Sequence, residues 1–307
     1  MLQGTKDVRA PVPLPPRSVG FLLGEIGDRW SIQEVASAVE ISGGAAFWVV
    51  DHILWHRPMP ECFAAVAMAA AATDRVVVGP CVLQVPLRNA VEIAKWSAFL
   101  QHATSGRFVL GVGIGEHEGE YRGVGADFQH RGASLDCALD SIEAALSRDV
   151  HDGLYRVDPR PRFPVWVGGR SHAAIRRAAR RCDGWIPHFV DPVEFAVGRE
   201  HLRREAERSG RDPDEIVTAA TVFVSVEEEA AEHEKNLEAM AELFGLPSRA
   251  LKKRLIAGTA REVAESFERF WDAGAHHLAA MIFSHDPVER FARLVGECAA
   301  RGGATCA

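Results

Sequence analysis

Eight times along this chain a short apolar run gives way to a longer amphipathic stretch. Strands that alternate with helices predict βα units and a parallel sheet, since parallel neighbours need a crossover between them. The runs lie at residues 19–23, 47–50, 76–83, 107–113, 164–167, 184–187, 216–224 and 277–283. Helical sequence follows over 31–43, 61–72, 89–103, 134–148, 171–181, 192–209 and 287–301, and a mostly helical stretch, 225–275, follows the seventh run. Eight such units in 307 residues fit one (β/α)8 TIM barrel, an α/β fold, with 114–133 and 225–275 as insertions in strand-end loops. Pro11, Pro13, Pro15 and Pro16 set residues 1–18 apart as an extended N-terminal arm and leave 19–307 as a single barrel domain.

Composition narrows the function classes. A net charge of −7 argues against a general nucleic-acid binder, which needs a basic face. The first residues lack the apolar core of a signal peptide, and no apolar run reaches the ~18 residues of a membrane span, so a cytoplasmic protein is expected. Cys62, Cys81, Cys137, Cys182, Cys298 and Cys306 form no CxxC pair and read as free thiols.

In such a barrel the chemistry belongs at the C-terminal strand ends. Asp51-His52 follow the second run, Glu116 and His117 the fourth, Gly168-Gly169-Arg170-Ser171 the fifth and His188 the sixth. Gly111, Gly113 and Gly115 alternate, so they share one face of an extended strand. They either admit something flat against the backbone or relieve packing at a corner or bulge. The run G-V-G-I-G-E is not a dinucleotide fingerprint, because Glu116 stands where the third glycine belongs. Ser171 reads as an N-cap, and with Gly168, Gly169 and Arg170 it makes a candidate anion seat. His52 is a candidate proton-handling residue with Asp51 beside it. Glu116 is a candidate proton donor, because a carboxyl near an apolar ring has a raised pKa. Glu118 and Glu120 read as solvated loop glutamates. His52 and His56 have metal-ligand spacing, but Pro58 and Pro60 argue against the helix it needs, and no metal site is expected.

The segments F-W-V-V-D-H-I-L-W (47–55), V-G-P-C-V-L-Q-V-P-L-R-N (78–89), G-R-F-V-L-G-V-G-I-G-E-H-E-G-E-Y (106–121) and P-V-W-V-G-G-R-S (164–171) resemble the bacterial-luciferase-like superfamily, as do D-G-W-I-P (183–187) and G-T-A-R-E-V (258–263). The strand-three segment and the G-x-G-E run resemble its deazaflavin branch. That resemblance implies an oxidoreductase moving a hydride between coenzyme F420 and a small organic substrate. It implies a non-prolyl cis bond at Cys81-Val82 behind the cofactor ring, Asp51 and His52 at the cofactor, Glu116 as the acid, and the cofactor phosphate at Val167, Gly168 and Gly169. Relatives of this kind are often dimers, so a homodimer is a further expectation. The alternative on the same fold is a monooxygenase using reduced FMN from a partner reductase. A metal-dependent hydrolase and a non-catalytic flavin-binding homologue are the remaining readings. The chain departs from the branch's sugar-phosphate dehydrogenases, in which a tryptophan follows the histidine by four residues. Here Trp55 follows His52 by three, and the basic sugar-phosphate pocket finds no match, which leaves the substrate open.

Overall fold

The computed structural model describes residues 14–25, 30–146 and 162–304. Most of the expected arm (1–13), the end of the fourth helical stretch (147–148) and Cys306 lie outside the described residues.

The strands are β1 (Ser18–Leu23), β2 (Ala46–Val49), β3 (Val77–Pro80), β4 (Leu83–Gln84), β5 (Leu110–Gly113), β6 (Val165–Gly168), β7 (Gly184–Ile186), β8 (Val217–Val226), β9 (Leu255–Gly258) and β10 (His277–Ile282). Nine of them pair in the order β3-β2-β1-β10-β8-β7-β6-β5-β4, all in parallel. β3 and β4 are two halves of one stave, so the barrel has eight among the described residues. The expected strand 76–83 is therefore interrupted, at a cis Cys81-Val82 bond. Both sides of the break pair with the next stave. Val78 bridges Phe108 below it, and Leu83 pairs with Val112 above it.

Helices α1 (Ile32–Ile41), α2 (Cys62–Ala71), α3 (Ala90–Ala103), α4 (Glu118–Val124), α5 (Arg131–Leu146), α6 (His172–Arg181), α7 (Pro192–Arg208), α8 (Ala230–Phe244), α9 (Ser248–Leu251), α10 (Ala260–Asp272) and α11 (Pro287–Ala300) complete the order. Side chains set where several begin. Ser31 with Glu34, Asp191 with Glu194 and Thr259 with Glu262 form capping boxes on α1, α7 and α10. Two elements in the long segments, α4 and β9, were not read from periodicity, whereas helices in 225–275 were expected. Residues 114–133 hold α4, and 225–275 hold α8, α9 and the extra strand β9. β7 pairs with β8 at Val217 and Thr218, and Thr221 N–H donates to Pro187 O just past it; β9 pairs with the upper part of β8, Phe223–Val226. The insertion thus extends the barrel rim on that side.

Two apolar layers result. One lies between staves and helices and includes Phe21, Phe47, Phe108, Val112, Val167 and Phe291. The other fills the barrel, with Trp48, Trp166, Val109, Ala219 and Ala279 among its members. At the N-terminal end Trp48 and Trp166 meet at 5.4 Å between ring centroids. Trp48 Nε1 donates to His277 Nε2 at 2.9 Å, and Ser18 Oγ lies 2.8 Å from His277 Nδ1. Trp donates only, so Nε2 is the bare nitrogen and Nδ1 carries the proton. Burial pushes the His277 imidazole down to about 3. Leu14, from the described end of the arm, packs into this inner layer. Among the described residues these side chains pack the N-terminal end of the barrel as a floor.

Candidate active site

Past the C-terminal ends of β2 and β4 the structure builds a buried polar knot. Asp51, 3% exposed, takes both oxygens of its carboxylate to Arg88, at 2.6 and 2.7 Å, and accepts the Gln84 N–H at 2.7 Å. Burial raises the Asp51 carboxyl, and the guanidinium and N–H work against it. The Gln84 amide donates to Asp51 O at 2.8 Å and to Glu120 at 3.1 Å. Glu120, only 1% exposed, also accepts the Ile53 and Leu54 N–H groups and lies 2.9 Å from His52 Nδ1. Burial opposes its charge, but hydrogen bonds from His52 and Gln84 outweigh it and hold the carboxyl below the usual range. An ionised carboxylate only accepts, so Nδ1–H of His52 is the donor and Nε2 is left open.

The carboxylate of Glu120 therefore ties the loop after β2 to β4 and α4. It is no solvated loop glutamate, which corrects the expectation; the Glu118 side chain does stay exposed. Sequence alone gave little signal, because only the folding of α4 turns Glu120 and Tyr121 inward.

His52 stacks on Trp55 at 3.9 Å between ring centroids, and His117 stands edge-on to Trp55 at 4.4 Å. Trp55 Nε1 donates to Leu243 O at 3.0 Å, and the His56 ring N–H to Glu242 O at 2.7 Å. The two histidines thus serve different partners, and α8 closes over the loop that bears them. Among the described residues no three His, Cys, Asp or Glu side chains converge as metal ligands. Leu54, Trp55, Glu116, His117 and Glu120 line a cleft of about 510 Å³. Glu116 reaches it from the β5 end and is exposed to it. His188 lies past β7, within electrostatic reach of Glu116. Burial lowers its pKa, the charge of Glu116 opposes that, and Arg170 adds to it, so groups from β5, β6 and β7 bear on one another there.

The alternating glycines meet the broken stave, Gly111 at its backbone and Gly113 and Gly115 at its side chains. A Cβ on Gly113 would lie 2.6 Å from Val82 Cγ2, and one on Gly168 3.0 Å from the same atom. On Gly111 it would lie 2.2 Å from Pro80 O, and on Gly115 2.0 Å from Gln84 Oε1. The packing alternative accounts for these glycines, which let Val82 and Gln84 close onto β5 and β6. Cys81 points into the barrel, its Sγ 3.5 Å from Thr221 Oγ1. Gln84 Oε1 is buried without a hydrogen-bond partner, which is costly unless something donates to it.

Across the mouth, Ser171 caps α6 by accepting from Ala174 N at 3.2 Å. Gly169 has φ +104, and its carbonyl accepts from Trp185 Nε1 at 2.8 Å. Arg170 donates to Phe189 O at 2.9 Å. The Val167 side chain faces the outer layer, so only its backbone borders the mouth. His52 and Glu116 thus gather on one side with Asp51 behind them. Gly168 to Ser171 form the other side, and Cys81-Val82 lies between. His117, His188, Gln84, Arg88 and Glu120 complete the set.

A family model described as luciferase-like monooxygenase matches residues 24–245. A phthiodiolone/phenolphthiodiolone dimycocerosates ketoreductase of Mycobacterium kansasii is 26% identical over 227 residues, 62% of this chain and 62% of that protein. The match thus spans less than two thirds of that relative's length. An F420-dependent secondary alcohol dehydrogenase, solved with an F420-acetone adduct, superposes with TM-score 0.79 at 19% identity, covering 92% of this chain and 98% of that one. The oxygenating constituent of 3,6-diketocamphane monooxygenase from Pseudomonas putida, solved with FMN, gives TM-score 0.73 at 16% identity over 93% and 99%. At such identities the superpositions speak for the fold alone.

Proposed function

This chain belongs to the luciferase-like monooxygenase family, and from that premise we propose that it is an oxidoreductase moving a hydride between coenzyme F420 and a small organic carbonyl or alcohol. The observation that carries this reading is the mouth. Glu116 lines the cleft, His52 stacks on Trp55 of the same lining, and Gln84 Oε1, buried nearby, lacks a donor. These residues fit a planar, hydrogen-bonding cofactor with an anionic end: Gln84 offers an acceptor, and Gly168 to Ser171 offer helix N–H groups and a cation. When bound, the deazaflavin supplies or accepts the hydride; the protein supplies position and electrostatics.

The rest falls to the chain's own side chains. Glu120 fixes the His52 ring so that Nε2 faces outward, and His52 holds a substrate oxygen there. Glu116, exposed to the same cleft, gives or takes the accompanying proton. Trp55 and Leu54 cover the opening and limit water. Among the described residues no helix is long and apolar enough to cross a membrane, and we place the protein in the cytoplasm. The exposed Met68, Trp96 and Phe99 on α2 and α3 offer an apolar face that a second copy would cover.

The family's own description favours the second reading, in which reduced FMN and oxygen replace F420. Titration of the purified protein with F420 and with FMN, each oxidised and reduced, separates them. Selective F420 binding, with F420H₂ consumed by ketones and no oxygen uptake, is expected. His52→Ala and Glu116→Gln should then each lower turnover roughly 10²-fold or more. Selective binding of reduced FMN with substrate-dependent oxygen uptake would move the assignment to the monooxygenase. Binding of neither would end both.

A further inference from the structure

A second cleft, of about 270 Å³, opens where β7 stops and β9 takes over the edge of β8. Its floor is apolar, with Phe189, Ile256 and Phe270. Its rim is basic. Lys253, Arg254 and Arg269 line it, against the single carboxylate of Asp191. That carboxylate is engaged, accepting the Glu194 N–H as the cap of α7. Arg254 holds Glu194 at 2.5 Å; Lys253 and Arg269 are exposed at the rim. This cleft adjoins the anion seat. Arg170, from the seat, donates to the carbonyl of Phe189, which lines the cleft, and the charge of Glu194 is felt by Arg254 and Arg170 alike.

We propose that this cleft seats the acidic tail of the deazaflavin cofactor, the carboxylates that extend beyond its phosphate. The inference rests on the F420 reading above. Its ground is chemical. A tail of carboxylates joined by short methylene segments has both an apolar and an anionic part, which the floor and the rim match. It leaves the phosphate beside the point where the cleft begins. FMN ends at its phosphate and has nothing to place there. The cluster thus makes the chain selective between two cofactors that share a ring shape and an anion seat.

The test compares F420 bearing several glutamates with a tail-less form that ends before the first glutamate, by fluorescence titration of the purified protein. Two partly exposed ion pairs are together worth about tenfold in affinity at low salt. The long-tailed form should therefore bind about tenfold tighter than the tail-less one, and the gap should close in high salt. It should also close in Lys253→Gln/Arg269→Gln, whose affinity for the tail-less form stays unchanged. That unchanged affinity also shows that the variant is folded. Equal, tight binding of both forms to the parent protein would overturn the inference and leave the F420 reading standing. A gap that survives the double substitution would place the tail elsewhere and overturn it too. Failure of both forms to bind would remove the F420 reading itself, and this inference with it.

Discussion

The two ends of this barrel are built from the same staves and treat a histidine in opposite ways. At the floor, His277 has both ring nitrogens engaged by neutral groups, Trp48 and Ser18, and is fully buried. At the mouth, His52 gives one nitrogen to the carboxylate of Glu120 and keeps the other open. The floor leaves this ring no bond to make; the mouth engages His52 through Nδ1 and buries Oε1 of Gln84 without a donor. A ring locked as a neutral acceptor serves packing. A ring that donates Nδ1–H to a carboxylate, half-buried beside a cleft, keeps its other nitrogen for a further partner. The difference lies in the partners rather than in the residue.

The sharpest way to break this contrast is at the floor. Trp48→Ala removes a 1% exposed ring and the donor to His277. It should lower stability by ~3–5 kcal/mol in urea unfolding, while the folded fraction keeps its cofactor affinity. A loss under ~1 kcal/mol would show that the floor is not packed as described. Arg88→Met should cost a similar ~3–5 kcal/mol, since the buried Asp51 carboxylate loses its bidentate partner. Asp51→Asn/Arg88→Met should recover much of that loss, and a double-mutant cycle that shows simple additivity would count against the pair.

The floor histidine also leaves a mark on the pH dependence of stability. Folded His277 takes up a proton only near 3, whereas an unfolded histidine does so near 6.5. Between those values the unfolded chain binds more protons, so stability falls as pH drops through that window, by ~1.4 kcal/mol per pH unit. His277→Gln should flatten this slope by one proton. An unchanged slope would mean that the ring is not held neutral. Glu120 has the opposite starting charge and the same direction. Its folded value lies below the ordinary 4.5, so its contribution is present above that value and is lost as pH falls through the folded one. Glu120→Gln should cost about 1–3 kcal/mol and shift the pH–rate profile, because Gln no longer holds Nδ1–H of His52 against a charge. A purely structural glutamate would leave the profile in place. The smallest effect belongs to Ser171→Ala, a lost cap worth ~1 kcal/mol, with a weaker grip on anionic cofactors as its second readout.

Much of this was legible in order and little of it in contact. Apolar runs and helix caps are local signals, so the eight staves and the residues at their ends could be read directly. The spacing of Gly111, Gly113 and Gly115 was equally plain, but what closes on them comes from another stave. β9 was hidden because its four residues, Leu255–Gly258, are short and only partly buried. Glu120 was misread because its neighbours in sequence are polar and exposed, whereas its neighbours in space are Gln84 and His52.

By itself, then, the sequence determined the parallel barrel and which residues follow its strands, His52 after β2 and Glu116 after β5 among them. Only the tertiary structure decided that Glu120 is the partner of His52, that Val82 rests on Gly113 and Gly168, and that Trp48 and His277 meet from 229 residues apart. Strand period and helix caps are short-range steric and hydrogen-bonding preferences, written locally. Which side chains touch across staves depends on the register of every neighbouring pair and on closure of the ring, and no local stretch contains that.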